Sequence, residues 1–433
     1  MKRIFTAVLS AAFALTISAQ SGTNSPYSQY GLGLLSDQTS GFNRGMNGLG
    51  LGFHEHNQIN FINPASYSAI DSLSFIFDVG ISGQITNFSE GGEKKNAKNA
   101  NFEYAVAGFR AARHLGISFG ILPFTNTGYS YSTSGNISVG GDSEGTTYET
   151  AYSGSGGFHQ VYIGAGWEPF KGFAFGANIG YMWGNYTRSV VNSYGDSYIN
   201  SLAKYYTATV NSYKFDAGVQ YTAKLSKKDK LTLGLTYSLG HKLGGDPQCM
   251  VISYNSQTSV ADTATYKAGN ALEMPTMYGA GFMFDHNNQV KIGFDYQLQQ
   301  WGSTTTPVYS VVNNVPQYKA EEGQFSDRHK FTFGSEWCPR ENGRNFFQRI
   351  HYRVGASYAT PYLKINGIDG PKEYSVSAGF GIPVMNSYNN RSILNISGQW
   401  VCQDSKTLIK ENTFRINIGL TFNEKWFAKW KVD

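Results

Sequence analysis

Alternation constrains this chain more than any other feature. From Phe173 to Trp183 the residues Phe173, Phe175, Ala177, Ile179, Tyr181 and Trp183 occupy every second position, with Ala174, Gly176, Asn178 and Gly180 between them. A period of two marks a strand whose two faces meet different surroundings. The same pattern returns in Leu73–Ile81, Leu231–Leu239, Val290–Leu298 and Phe414–Phe422. About fourteen such segments are joined mostly by short turns after even strands and longer loops after odd ones, as in a bacterial single-chain barrel.

Composition says which solvent the strands face. The chain has 50 Gly, 29 Tyr and 29 Phe, and only 15% of its residues are charged. No apolar run beyond the N-terminus reaches the 18 residues of a membrane-spanning helix. Closed barrels cross a bilayer without leaving backbone groups unsatisfied, and their lipid-facing and lumen-facing residues alternate. A secreted β-sandwich or propeller also alternates, but gives no reason for one polar face throughout. The expected fold is therefore all-β, a transmembrane β-barrel of about fourteen antiparallel strands. Trp183, Trp301 and Trp400 are expected near its outer rim, and Trp167 and Trp337 near the inner one. The Gly/Ser/Thr-rich stretch Ser132–Gly156 reads as a long loop.

Residues 1–19 read as a signal peptide: Lys2 and Arg3, an apolar run, and Ile17-Ser18-Ala19 before Gln20. Loss of those two basic residues leaves a formal charge of +3 from +5, too little to suggest nucleic acid as a partner. Cys249, Cys338 and Cys402 share no metal-ligand spacing, and an odd count argues against a disulfide scaffold.

Residues 20–71 do not alternate. Within them Ser40–Tyr67 carries Gly41, Gly45, Gly48, Gly50 and Gly52 and closes on Asn63-Pro64-Ala65. Glycines at this density suit a compact coil in a narrow space, and proline fixes a turn by restricting its predecessor. We read 20–71 as a hatch inside the lumen, 72–422 as the barrel, and 423–433 as a basic-aromatic periplasmic tail. Gly48 and Gly50 are expected to be essential to hatch packing.

With the glycine-rich run, Asn63-Pro64-Ala65 and fourteen strands in place, the chain resembles the FadL/TodX (OmpP1) family of outer-membrane transport proteins, in a Bacteroidetes-like version. The resemblance implies a Gram-negative outer-membrane barrel whose hatch gates uptake of hydrophobic or amphipathic molecules such as long-chain fatty acids. It assigns gating to Asn63, Pro64 and Ala65. It also implies a kink in strand three that opens the wall toward lipid. Pro123 cannot donate to a ladder, and alternation resumes at Tyr129 and Tyr131, so Pro123 and Phe124 mark the expected lateral exit. Some Bacteroidetes relatives serve protein export or outer-membrane assembly, and a permanently plugged barrel acting as a partner subunit is the competing reading.

The chain shows no zinc-protease motif or phosphate loop, and we assign no catalytic residue, cofactor or metal. His54-Glu55-His56 reads as solvated or hydrogen-bonded side chains. Asp78, Glu103, Arg110, Lys214, Asp216, Lys291, Asp295, Lys330, Arg353 and Arg415 fall on the lumen face. They are expected to pair with one another and with the hatch. Arg110, Lys330, Arg353 and Arg415 are the candidates for holding a ligand carboxylate. The expected partners are outer-membrane lipid, a hydrophobic ligand, and proteins of the same membrane.

Overall fold

A computed structural model describes residues 22–137, 145–341, 343–384, 392–405 and 407–424. The expected signal peptide and the expected tail from residue 425 lie outside the described residues.

Fourteen strands form the barrel: β1 Phe75–Glu90, β2 Glu93–Ala112, β3 Leu115–Ile137, β4 Thr146–Phe170, β5 Phe173–Tyr194, β6 Ser201–Lys224 and β7 Asp229–Ser238, then β8 Met277–His286, β9 Val290–Gln299, β10 Arg328–Trp337, β11 His351–Ala359, β12 Lys372–Val384, β13 Ser392–Asp404 and β14 Lys410–Glu424. Each pairs antiparallel with its predecessor, and β14 closes on β1, with Ser89 opposite Lys410 and Phe75 opposite Glu424. Closure leaves no terminal strand unpaired. Alternation does what the sequence implies. On β5, Phe175, Ile179 and Tyr181 are exposed on the outer wall while Ala174, Asn178 and Met182 are buried within. Ile163 on β4, Leu235 on β7, Phe333 on β10 and Ile416 on β14 continue the outward apolar band. A transmembrane barrel follows.

The wall is lopsided. Strands β7 to β10 have 10 residues each, about what crosses a bilayer. Strands β3 to β6 have 23, 25, 22 and 24 residues. Their excess rises above the membrane on the side of the longer loops, where the hairpin Gln248–Asn255/Val260–Lys267 extends the sheet from β6.

Three expectations change here. The stretch Ser132–Gly156 is mostly strand, because its small polar residues still alternate with tyrosines that pair across the ladder. Tyr131 stacks on Tyr152 at 4.9 Å. The first strand begins at Phe75, with Leu73 at φ 63° in the turn before it. Trp301 is not a rim residue. It is buried among loop aromatics, against Phe325 and Tyr362, and its indole N–H donates to Gln299.

Candidate functional site: a lumen closed from within

Residues 22–71 form an irregular coil whose backbone lies against inward-facing glycines of the wall. A Cβ on Gly116 of β3 would stand 1.9 Å from the Tyr67 carbonyl oxygen, and one on Gly234 of β7 1.9 Å from that of Leu51. Gly166 and Gly176 meet the Pro64 backbone at 2.4 and 2.5 Å, and Gly218 meets Asn63 Oδ1 at 2.1 Å. These glycines run in register from strand to strand: Gly116 opposite Gly166, Gly166 opposite Gly176, Gly176 opposite Gly218. Only a glycine admits such an approach. The hatch is seated in a groove cut into the wall.

Asn63-Pro64-Ala65 is what pins it. Asn63 caps the short helix Pro64–Ala69, its Oδ1 accepting from the Ala65 amide at 3.2 Å, and proline at the first helical position gives up no bond. The Asn63 Nδ2 donates to Leu51 O at 3.0 Å within the hatch and approaches Val219 O and Leu235 O of the wall at 3.3 and 3.4 Å. Of the two glycines singled out in the hatch, Gly48 has φ 88°, and a Cβ on Gly50 would lie 2.4 Å from Ile62 Cδ1.

Buried charges join hatch to wall. Arg44 Nη2 lies 2.9 Å from Glu103 Oε2 and its Nη1 donates to Asn417 at 3.0 Å. Desolvation would discharge this guanidinium, but Glu103 and Asp37 hold it more firmly in its charged form. Arg415 meets Asp37 at 2.6 Å. Lys291 meets Glu55 at 2.6 Å and Glu336 at 3.2 Å, and Asp295 accepts from the Gly50 and Leu51 amides at 2.7 and 2.9 Å.

The wall itself has a gap. Strand β2 pairs with β3 from Ala112 opposite Leu115 only up to Ala105 opposite Ile121. Above that height β3 continues against β4 alone, with a register shift between Pro123 and Thr125 that leaves Phe124 in a bulge. The hatch fills the vacated edge. Leu34 lies opposite Asn126 and Leu35 opposite Thr125 in antiparallel register. The Ser36 amide donates to Phe124 O at 3.0 Å, and Gln38 Nε2 donates to Pro123 O at 2.7 Å. Further up, the Gly128 amide donates to Ser28 Oγ at 3.1 Å, and Asn101 of β2 donates to Gly22 O at 3.0 Å.

Apolar packing joins the hatch to the loop side as well. Tyr27 and Leu32 of the hatch pack in one apolar cluster with Phe124, Phe158 and Tyr186 of the wall and with Leu243, Trp301, Phe325 and Leu363 of the loops. Between this cluster and the seated hatch lies a cavity of about 220 Å³, with Asp37, Gln38, Lys214, Asp216, Arg328 and Lys330 among its lining residues. Lys214 and Asp216 pair within it.

The candidate residues are thus spread apart. Pro123 and Phe124 lie at the bulge, but the hatch residues that meet them are Ser36 and Gln38, while Asn63–Ala65 sit against β4 to β7. Of the four carboxylate candidates, Arg353 is engaged by Glu336 at 2.6 Å and by Asn395, and Arg415 by Asp37. Arg110 bonds the Ala112 carbonyl beside the β2–β3 turn, and Lys330 lines the cavity. His54, Glu55 and His56 turn to three different partners, Gln220, Lys291 and Asp71. Sequence reasoning missed Leu34–Gln38, Arg44 and the wall glycines. The glycines had a visible signal, since they recur at lumen-facing positions of successive strands.

A protein-family model described as BamG matches residues 1–433. No curated protein matches the chain. Among solved structures, a Pseudomonas aeruginosa FadL homologue is similar at TM-score 0.62 and 10% identity, over 91% of this chain and 99% of that one. The Pseudomonas putida toluene transporter TodX gives 0.59 and 12%, over 93% and 100%. The Ralstonia pickettii toluene transporter TbuX gives 0.57 and 14%, over 92% and 99%. At these identities the likeness is one of fold. The family model that matches is BamG, so the FadL/TodX resemblance stands for architecture.

Proposed function

The chain belongs to the BamG family, and from that premise we propose that it is a sealed outer-membrane barrel serving as a structural or partner subunit of a protein export or assembly complex. One observation carries this reading: where β3 first parts from β2, at Thr125 and Asn126, its edge is occupied by the chain's own Leu34–Leu35, paired in register. A transport route through the wall would first have to remove that strand. The cavity also argues for a subunit. Its volume, about 220 Å³, falls below the roughly 300–1,000 Å³ usual for small-molecule sites, and charged and amide side chains contribute much of its lining. The tall sheet of β3 to β6 offers contact surface above the membrane.

A second reading has its own support. The bulge at Phe124 beside a broken ladder suits a channel for hydrophobic small molecules such as long-chain fatty acids, in a Bacteroidetes-like variant of the FadL architecture. Two of the similar structures are toluene transporters. Here Asn63–Ala65 would report hatch movement, Leu34–Gln38 would be the gate, and Lys330 would be placed to meet a carboxylate in the cavity.

Extraction of the tagged, full-length protein from its own outer membranes in mild detergent separates the two. The subunit reading expects a stable assembly with other membrane proteins and no transport by the reconstituted barrel. A lone barrel that carries an apolar compound across vesicles would overturn it in favour of the channel.

A further inference from the structure

The seal formed by residues 22–36 leaves part of the parted wall uncovered. In an antiparallel ladder the N–H and C=O of one residue point to the same neighbour, and successive residues alternate sides. On β3, Phe124 accepts from Ser36, Asn126 stands opposite Leu34, and the Gly128 amide donates to Ser28 Oγ, whose hydroxyl is also 3.2 Å from the Gly128 carbonyl. Even-numbered residues therefore face the gap. The next four, Ser130, Ser132, Ser134 and Asn136, are solvent-exposed, and no described residue bonds their backbone on that side.

Chains usually blunt such an edge with lysine, proline or an inward charge. The opposite lip follows that rule, with Lys94, Lys95 and Lys98 on β2. Strand β3 does not: from Phe124 to Ile137 it contains neither a charged residue nor a proline. Its other edge is held by β4 through Ile137 opposite Thr146, so the strand is rigid and extended before any partner arrives.

Resting on the partner-subunit reading, we propose that the gap-facing edge of β3 from Ser130 to Asn136 is a docking site for an extended strand of a partner protein, added antiparallel above Leu34–Leu35. The occupant follows from the chain's own behaviour. The same edge, four and five residues lower, already takes a strand in this orientation, so an incoming segment would use the same edge as an established ladder. Main-chain bonds would supply the affinity, and side chains on alternate positions the selectivity. Such a partner needs a proline-free segment of about seven residues to match Ser130–Asn136, because every second residue must offer both a donor and an acceptor.

The test uses full-length protein in native outer-membrane vesicles and the same protein purified alone. Amide hydrogen exchange of Ser130, Ser132, Ser134 and Asn136 should be at least about tenfold slower in the native membrane, since a ladder bond protects an amide that water otherwise reaches. Ser132→Pro removes one gap-facing donor and spares the β4 ladder, and Ser134→Lys restores the usual edge protection. Both should keep the heat-modifiable barrel, abolish the extra protection and shift the extracted complex toward the size of the barrel alone. If the complex persists in both variants and the edge amides exchange equally fast in the two preparations, the docking site is wrong while the subunit reading survives. A complex of two copies of this chain and nothing else would overturn the partner-protein occupant. If the wild-type protein leaves its own membrane alone, the subunit reading and the docking site fall together.

Discussion

Leu34 stands opposite Asn126 at a height where β2 has already left β3. A segment from the lumen thus completes the wall, and its loss should be separable from loss of the barrel. The double change Leu34→Pro/Ser36→Pro removes two backbone donors from this short ladder, each contributing roughly 0.5–1.5 kcal/mol. Proteolysis within 22–38 should accelerate while the barrel remains heat-modifiable. An unchanged cleavage rate would mean that the ladder does not hold the seal.

Arg44 and Glu103 are both buried and 2.9 Å apart. Removing one partner of such a pair leaves an uncompensated charge at a cost of about 3–5 kcal/mol, whereas replacing both costs much less. Arg44→Met should lower the unfolding midpoint strongly in a urea titration, and Arg44→Met/Glu103→Gln should recover much of the loss. If the single variant is as stable as the parent, the pair does not anchor the hatch.

Wall glycines provide an internally controlled comparison. A methyl group on Gly116 or Gly176 would collide with hatch backbone, while one on Gly83 or Gly398 meets nothing within 4 Å. Alanine at the first two positions should destabilise by roughly 1–3 kcal/mol through overpacking, and at the last two should have little effect. Equal behaviour of the four variants in thermal unfolding would remove the close-packed seat from the account.

Cys249 is buried in the hairpin beside β6, and burial pushes its thiol up to about 11. The thiolate is the reactive form, so maleimide labelling of the folded protein should remain slow at pH 8 and rise only as pH approaches that value. Rapid labelling at pH 8 in the folded state would show that the hairpin opens.

Much of the architecture could be read because a barrel strand writes its two environments into alternate residues. Phe173 to Trp183 is unmistakable for that reason. The stretch Ser132–Gly156 was not, because above the membrane both faces meet water and small polar residues lose the contrast between faces. Asn63-Pro64-Ala65 announced a fixed turn, yet its partners on β6 and β7 lie about 150 residues or more away and no local pattern names them. The two-residue strand Leu34–Leu35 is shorter than any periodicity can register. Trp301 shows the reverse case. Its position suggested a membrane rim, and it is instead buried in the apolar cluster shared by loops, wall and hatch.

Uptake is the measurement closest to the central claim that the barrel is closed from within. Labelled long-chain fatty acid is supplied to cells that lack other import routes and express either the wild-type protein or the Leu34→Pro/Ser36→Pro variant, with insertion of each verified by heat modifiability. A sealed subunit gives no uptake above cells without the protein for the wild type. Wild-type uptake that disappears when a disulfide ties residue 34 to residue 126 would show that the strand opens as a gate and would contradict the account.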